Sequence, residues 1–297
     1  MAVNKRVLVV PPQTTRAGNM QLDNTFRLFK LKFRGHLLAS LSPEEVLREL
    51  PASKRKLYER VAEDLSINGF TKADASVNLF VKADKLTGRS TYPSRPRAIQ
   101  ARTPRFHFTI MSYLKPIEPV IYQWNGPPRG ITKSRVIAKG LDNIARGKLL
   151  LEKLSKFTRP VVLSLDAASF DSCQTARHLL RVHSLYLSML HTRQFESMLA
   201  MMRHNKVSSR NGLKYRVKGN RCSGDVDTGL GNSILMVGLT HAAMSMIGVA
   251  KWDMMCDGDD NVLIMEGANA PATQDVLDAF TSLGFNMTCD LETGRDG

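Results

Sequence analysis

Apolar positions recur with a helical period in some stretches and form short runs in others, and this difference sets the expected elements. Leu57, Val61 and Leu65 share one face of a helix expected over about 53–65, ending near Asn68-Gly69. Ala176, Leu179, Leu180, His183, Leu187 and Leu190 track a 3.6-residue period, as do Val276, Leu277, Phe280 and Leu283 ahead of Gly284. Ser42, Pro43 and Glu45 spell a capped helix start, with a stop at Pro51. Residues 106–157 read as helical, with breaks at Gly126-Pro127-Pro128 and Gly130. Val77–Val81, Val161–Leu165 and Phe285–Cys289 read as strands, and Trp252–Asp257 with Asn261–Met265 as a tight hairpin around Gly258-Asp259. Asn211-Gly212 marks a second hairpin turn. Residues 1–41 read as a basic arm and 82–105 as a basic loop or ribbon. The C-terminal order of strand, helix, helix, hairpin, helix and strand predicts an α+β layer.

Charge changes the picture. The 297 residues carry 42 Lys and Arg against 27 Asp and Glu, a net charge of +15, which calls for a polyanionic partner. Through Arg221 the count is 40 basic to 15 acidic; beyond it only Lys251 and Arg295 face 12 acids. Clustered carboxylates in a chain that attracts phosphates suggest bound cations. Four cysteines without a CxxC spacing exclude a zinc ribbon and a disulfide framework. No signal peptide opens the chain. Gly229–Ala250 is uncharged, but Asn232, Thr240, His241 and Ser245 suit a buried helix better than a membrane span.

Asp259 and Asp260 sit at a hairpin turn, where adjacent acids repel and require compensation. A calcium loop fails, because Val262 stands where its Gly is needed and no closing Glu follows. A solvated turn is the bland alternative for this pair alone. Asp166, at the end of the apolar run, adds a carboxylate from a second strand, the arrangement two-metal phosphoryl transfer needs. Asp171 is by itself a helix-start acid. Ser223, Gly224, Asp225, Asp227, Thr228 and Asn232 line a glycine-bearing turn into a helix, and alone read as a capped helix start.

In order, VLSLDAASFDSC, RCSGDVDTGLGNS and CDGDDNVLIM resemble motifs A, B and C of positive-strand RNA virus RNA-dependent RNA polymerases, with the tombusvirus- and carmovirus-like enzymes the nearest in style. SRPRAIQARTPRF resembles their motif F, VNLFVKADK the fingers segment before it, and GLKYRVKGNRCSGD the approach to motif B. The resemblance implies a right-hand fold: helical fingers over 1–157, and over 158–297 a palm with a ferredoxin-like antiparallel sheet and a basic, fingers-like insertion at 202–221. It implies template-directed addition of ribonucleotides to an RNA 3′ end. Asp166, Asp259 and Asp260 would hold two Mg²⁺ ions, with Mn²⁺ as a substitute. Asp171, Asn232, Ser223, Gly224 and Thr228 would meet the nucleotide; Arg95, Arg97 and Arg102 would line the nucleotide tunnel, with Arg97 reaching the triphosphate. Lys82, Lys85, Arg105, Arg210, Lys214, Arg216 and Lys218 would meet RNA, which is expected as template and nascent strand. Other viral replication proteins and a membrane-associated cytoplasmic complex are further expectations.

Two positions depart from the family. Thr288 stands where relatives commonly place a lysine able to protonate pyrophosphate, and Asp227 where many have Asn. Motif E and a thumb do not follow LGFNMTCD, which resembles motif D, so a partial polymerase is expected. A reverse-transcriptase-like enzyme, a non-catalytic RNA-binding palm and a nuclease with the same metal logic are the alternatives.

Overall fold

The computed structural model describes residues 10–82, 98–126 and 133–293. Lys85, Arg95 and Arg97 lie outside them. The chain divides into two compact units, each assembled from separated stretches.

The first unit takes Leu37–Ile117 and Asp171–Thr228, besides Met1–Val10. Helix α2 (Pro43–Glu49) starts with the expected reciprocal cap: the Ser42 side chain accepts from the Glu45 N–H, and the Glu45 carboxylate from the Ser42 N–H. Helix α3 (Ala52–Asn68) follows. Val46, Leu50, Tyr58, Phe108 and Met111 pack as one core cluster, with Phe108 contributed by α4 (Pro104–Tyr122). Strands β1 (Val77–Val81), β2 (Ala98–Arg102), β4 (His204–Ser209) and β5 (Lys214–Lys218) make a sheet in the order β2-β1-β4-β5. The β1–β4 pair is parallel and the others antiparallel. One face of this sheet buries Val77, Leu79 and Val207 against Cys222. The hairpin expected around Asn211-Gly212 is β4–β5. After the one-turn helix α6 (Phe170–Cys173), helix α7 (Ala176–Met189) carries the apolar stripe read from its periodicity, and a separate helix α8 (Arg193–Met202) follows where none was expected.

The second unit takes Pro11–His36, Glu118–Phe170 and Gly229–Gly297. Its sheet joins β3 (Pro160–Ala167), β6 (Trp252–Asp257), β7 (Asp260–Glu266) and β8 (Met287–Thr293) in the order β6-β7-β3-β8, every neighbouring pair antiparallel. Helix α9 (Thr228–Met246) leads into the β6–β7 hairpin, and α10 (Thr273–Ser282) connects that hairpin to β8. Helix α9 is apolar on every side and buried almost throughout, so its lack of charge reflects burial in the fold. Among the described residues no helix is long and apolar enough to cross a membrane. Helix α5 (Asn143–Leu154) begins at an Asp142 cap, and its buried Lys153 pairs with Asp253 of β6 at 3.0 Å.

The basic-arm reading of residues 1–41 needs correcting. Arg16–Lys32 form a helix, α1, capped by Thr15 and buried along Leu22, Phe26 and Phe29. Phe29 meets Trp124 edge-on at 4.5 Å, and the Thr25 hydroxyl lies 3.2 Å from His241 Nδ1. The basic residues masked this i, i+4, i+7 stripe. The sequential boundary at 157/158 also differs from the division observed: Pro11–His36 belongs with the β3–β6–β7–β8 sheet, and Asp171–Thr228 with the first unit.

Candidate active site

Strand β3 alternates along its second half, with Leu163 and Leu165 buried and Ser164 and Asp166 exposed. Leu165 lies opposite Asn261 of β7, and Asp166 opposite Thr288 of β8. Asp166 therefore sits at the sheet end that carries the β6–β7 turn. That turn has two residues, Gly258 and Asp259, closed by the pair Asp257–Asp260. Gly258 has φ +73°, as the first position of a type II′ turn demands. Asp260 is exposed and Asp259 half-buried.

Five hydrogen bonds fix this turn and the strand ends beside it. The Gly258 N–H donates to Ser233 Oγ at 2.9 Å, and that hydroxyl donates to the Gly229 carbonyl at 2.8 Å, so one side chain ties the turn to the first coil of α9. Asn261 Nδ2 donates to Thr240 Oγ1 further along the same helix. On the outer edge of β6, the Cys256 N–H donates to the Val136 carbonyl, and the Cys256 carbonyl accepts from the Ala138 N–H. The neighbouring Asp257 is already neutralised, by Lys139 Nζ at 3.3 Å and by Arg146. Sequence reasoning missed Lys139, Arg146 and Ser233. Only Ser233 left a signal, as the residue closing the segment RCSGDVDTGLGNS.

The donor chemistry of Asp166, Asp259 and Asp260 fits a hard divalent cation, since all three are carboxylates and two are exposed. Among the described residues, no three His, Cys, Asp or Glu side chains already stand in a metal-holding cluster. The sheet end thus brings the acids to one place without forming a closed cage. Thr288 Oγ1 donates to the Asp166 carbonyl at 3.3 Å.

A model of the family described as viral RNA dependent RNA polymerase matches residues 2–292. The chain belongs to that family. The RNA-directed RNA polymerase of Groundnut rosette virus (strain MC1) is 32% identical over 250 residues, covering 83% of this chain and 29% of that protein. That of Red clover necrotic mosaic virus is 32% identical over 292 residues, covering 95% and 37%. That of Tomato bushy stunt virus (strain Cherry) is 31% identical over 240 residues, covering 79% and 29%. This member of the polymerase family thus spans about a third of the length of these curated relatives.

The loop before α9 of this polymerase-family chain is built in the first unit. The Gly224 N–H donates to the Gln100 carbonyl at 2.8 Å, and a Cβ there would come within 2.8 Å of that oxygen and of Ala101 Cβ. Glycine is required by this close approach to β2. Ser223 Oγ lies 3.4 Å from both the Gln100 N–H and the Ala98 carbonyl, and Thr228 Oγ1 donates to the carbonyls of Cys222 and Asp225. Both hydroxyls therefore brace the loop. Asp227 is buried, 2.8 Å from Arg221 Nη1, and accepts from the Tyr186 hydroxyl. Burial alone would raise its pKa, but Arg221 overrides this and holds it below the usual carboxylate range. The extra charge at this position is thus paired in place. Asp225 is pushed up to about 6, by burial first, against the pull of Arg102.

Arg102 departs from the expected place in the lining of a nucleotide tunnel. It is buried, its Nε lies 3.1 Å from Asp225, and its other nitrogens donate to the Ala75 carbonyl and to Asn205. A guanidinium enclosed this way braces β2 against the loop. Arg105 likewise departs from RNA contact, being held by Asp64, Asp74 and the Gly69 carbonyl. Lys82, Arg210, Lys214, Arg216 and Lys218 are exposed, as RNA contact requires. Asp171 is half-buried, its carbonyl accepting from the Arg221 N–H at 2.9 Å, and Asn232 is buried in α9.

Proposed function

We propose that this chain carries fingers and palm of a right-hand RNA polymerase that copies viral RNA by adding ribonucleotides to a 3′ end. The observation that carries the reading is the meeting of Asp166 with the Gly258-Asp259-Asp260 turn at one sheet end, in a chain of this family. The strand order β6-β7-β3-β8, reached by a β-α-β-β-α-β path, is that of a ferredoxin-like layer and supports the palm assignment. Asp166, Asp259 and Asp260 would hold two Mg²⁺ ions, or Mn²⁺. Bound there, the metals would offset charge on the transferring phosphate and lower the pKa of the attacking hydroxyl. Asp171 and Asn232 would read the ribose 2′-hydroxyl, while Ser223, Gly224 and Thr228 hold the loop that orients them. Arg95 and Arg97 would supply forked donors to the triphosphate. Thr288 is too weak an acid to take a lysine's place at pyrophosphate, so the proton comes from another group in this reading. RNA template and product, ribonucleoside triphosphates and other replication proteins are the proposed partners, the last recruiting the chain to cytoplasmic membranes.

The test is labelled nucleotide incorporation on a defined RNA template, with Asp259→Ala/Asp260→Ala as the control. Template-complementary product made from ribonucleotides and lost in the variant is expected. Equal use of deoxynucleotides would favour the reverse-transcriptase-like reading. Silence from a folded, RNA-binding chain, even when fused to the further segments its longer relatives carry, would favour the non-catalytic one.

A further inference from the structure

We propose that the outward face of the β2-β1-β4-β5 sheet binds single-stranded RNA, with cations of the β4–β5 hairpin along the phosphates and a base stacked on Phe80. On β4, Asn205 and Val207 are buried while His204, Lys206 and Ser208 are exposed; on β5, Lys214, Arg216 and Lys218 are exposed. The register sets His204 opposite Lys218, Lys206 opposite Arg216 and Ser208 opposite Lys214. Directly opposed side chains in an antiparallel pair lie close together, and like charges there destabilise the sheet. No Asp or Glu occurs between Arg203 and Arg221 to relieve them. Among the described residues, no carboxylate pairs with Lys206, Lys214, Arg216 or Lys218. A hairpin that opposes Lys206 to Arg216 without a counter-charge is complementary to a polyanion.

The same face continues onto β1. Val77 of the buried face pairs with Val207, and Asn78 with Ser208, so Asn78 and Phe80 share the side of Lys206 and Lys214. Phe80 is 48% exposed, a large aromatic ring left in water opposite the half-buried Ile99 of β2. Phosphate tracking needs only cations. An exposed ring beside them adds a platform on which an unpaired base stacks, which a duplex cannot use because its bases are already stacked. Strand spacing of about 4.8 Å and a same-face repeat of about 6.6 Å place Phe80 roughly 12 Å from Lys214, within the span of a short oligonucleotide.

This inference rests on the polymerase reading only in taking RNA as the polyanion. The test measures binding of a short labelled uridine RNA, and of a duplex RNA, to the full chain. Phe80→Ala is expected to weaken single-strand binding roughly tenfold or more and to leave duplex binding unchanged, while Phe80→Trp retains affinity. Lys206→Ala/Arg216→Ala is expected to weaken binding and flatten the slope of log affinity against log salt by about 1.4, the share of two single-strand phosphates that no longer release their counterions. The same double variant is expected to raise the melting temperature of the free protein, because it removes the opposed charges. Unchanged single-strand affinity in Phe80→Ala, or equal losses for duplex and single strand, would overturn the stacking platform. An unchanged salt slope in the double variant would overturn the hairpin's part. A native chain that binds no RNA would instead count against the choice of RNA, whatever these variants do.

Discussion

Buried charge around the loop preceding α9 makes stability depend on pH through a few side chains. His183 is held down at about 3, chiefly by burial and then by Arg221, Arg203 and Arg102 against Asp227, and its Nδ1 lies 3.1 Å from Arg203. His107 is held down at about 4, by burial first and by Arg102 and Lys54. Both rings stay neutral in the folded chain at a pH where the unfolded chain protonates them. Asp225, at about 6, works in the opposite sense, since the folded state keeps its proton longer. Between about pH 4 and 6 the unfolded state therefore binds two imidazole protons against one carboxyl proton in the native state. From these groups, stability falls as the medium is acidified, by about 1.4 kcal/mol per pH unit. Urea midpoints from pH 6.5 to 4.5 would measure this. His183→Gln, which keeps an acceptor for Arg203 but cannot titrate, is expected to remove one proton from the slope. An unchanged slope would show that His183 is not buried neutral.

Strands and turns of the candidate site were more legible than helices because their signals are local. The run Val161–Leu165 and the Gly258-Asp259 turn needed only a few residues to announce themselves, and β3, β6 and β7 lie where those signals fell. Helix α1 was hidden because Arg16, Arg27, Lys30 and Lys32 dominate its composition, while its buried stripe matters only once Trp124 and His241 are adjacent. The roles of Arg102 and Arg105 were illegible for a similar reason: whether a guanidinium faces a ligand or a carboxylate is decided by partners such as Asp225 and Asp74, distant in sequence. Ser233 shows how one element positions another. Removing its hydroxyl in Ser233→Ala leaves the buried Gly258 N–H without an acceptor, a loss of about 1–3 kcal/mol. Hydrogen exchange is expected to show the Gly258 amide losing protection while the centre of α9 keeps its own. Retained protection at Gly258 would mean that the turn holds itself.

The chain passes from one unit to the other after Val10, His36, Ile117, Phe170 and Thr228, so neither unit is a continuous piece of sequence. A fragment covering only 158–297 contains every strand of the second sheet but lacks α1 and Trp124, whose rings complete that unit's core. Expressed alone, it is expected to be insoluble or to lack a cooperative melting transition. A sharp transition from the soluble fragment would refute the part assigned to α1. The five passages also bear on how such a gene can exchange parts with a relative. A single crossover anywhere between codons 37 and 228 gives a product in which both units mix residues of two parents, so neither inherits an intact set of packing partners. Beyond codon 228 the first unit comes whole from one parent. Viable recombinants should therefore have breakpoints depleted between codons 37 and 228 and crowded to either side, even if strand exchange itself is uniform along the genome.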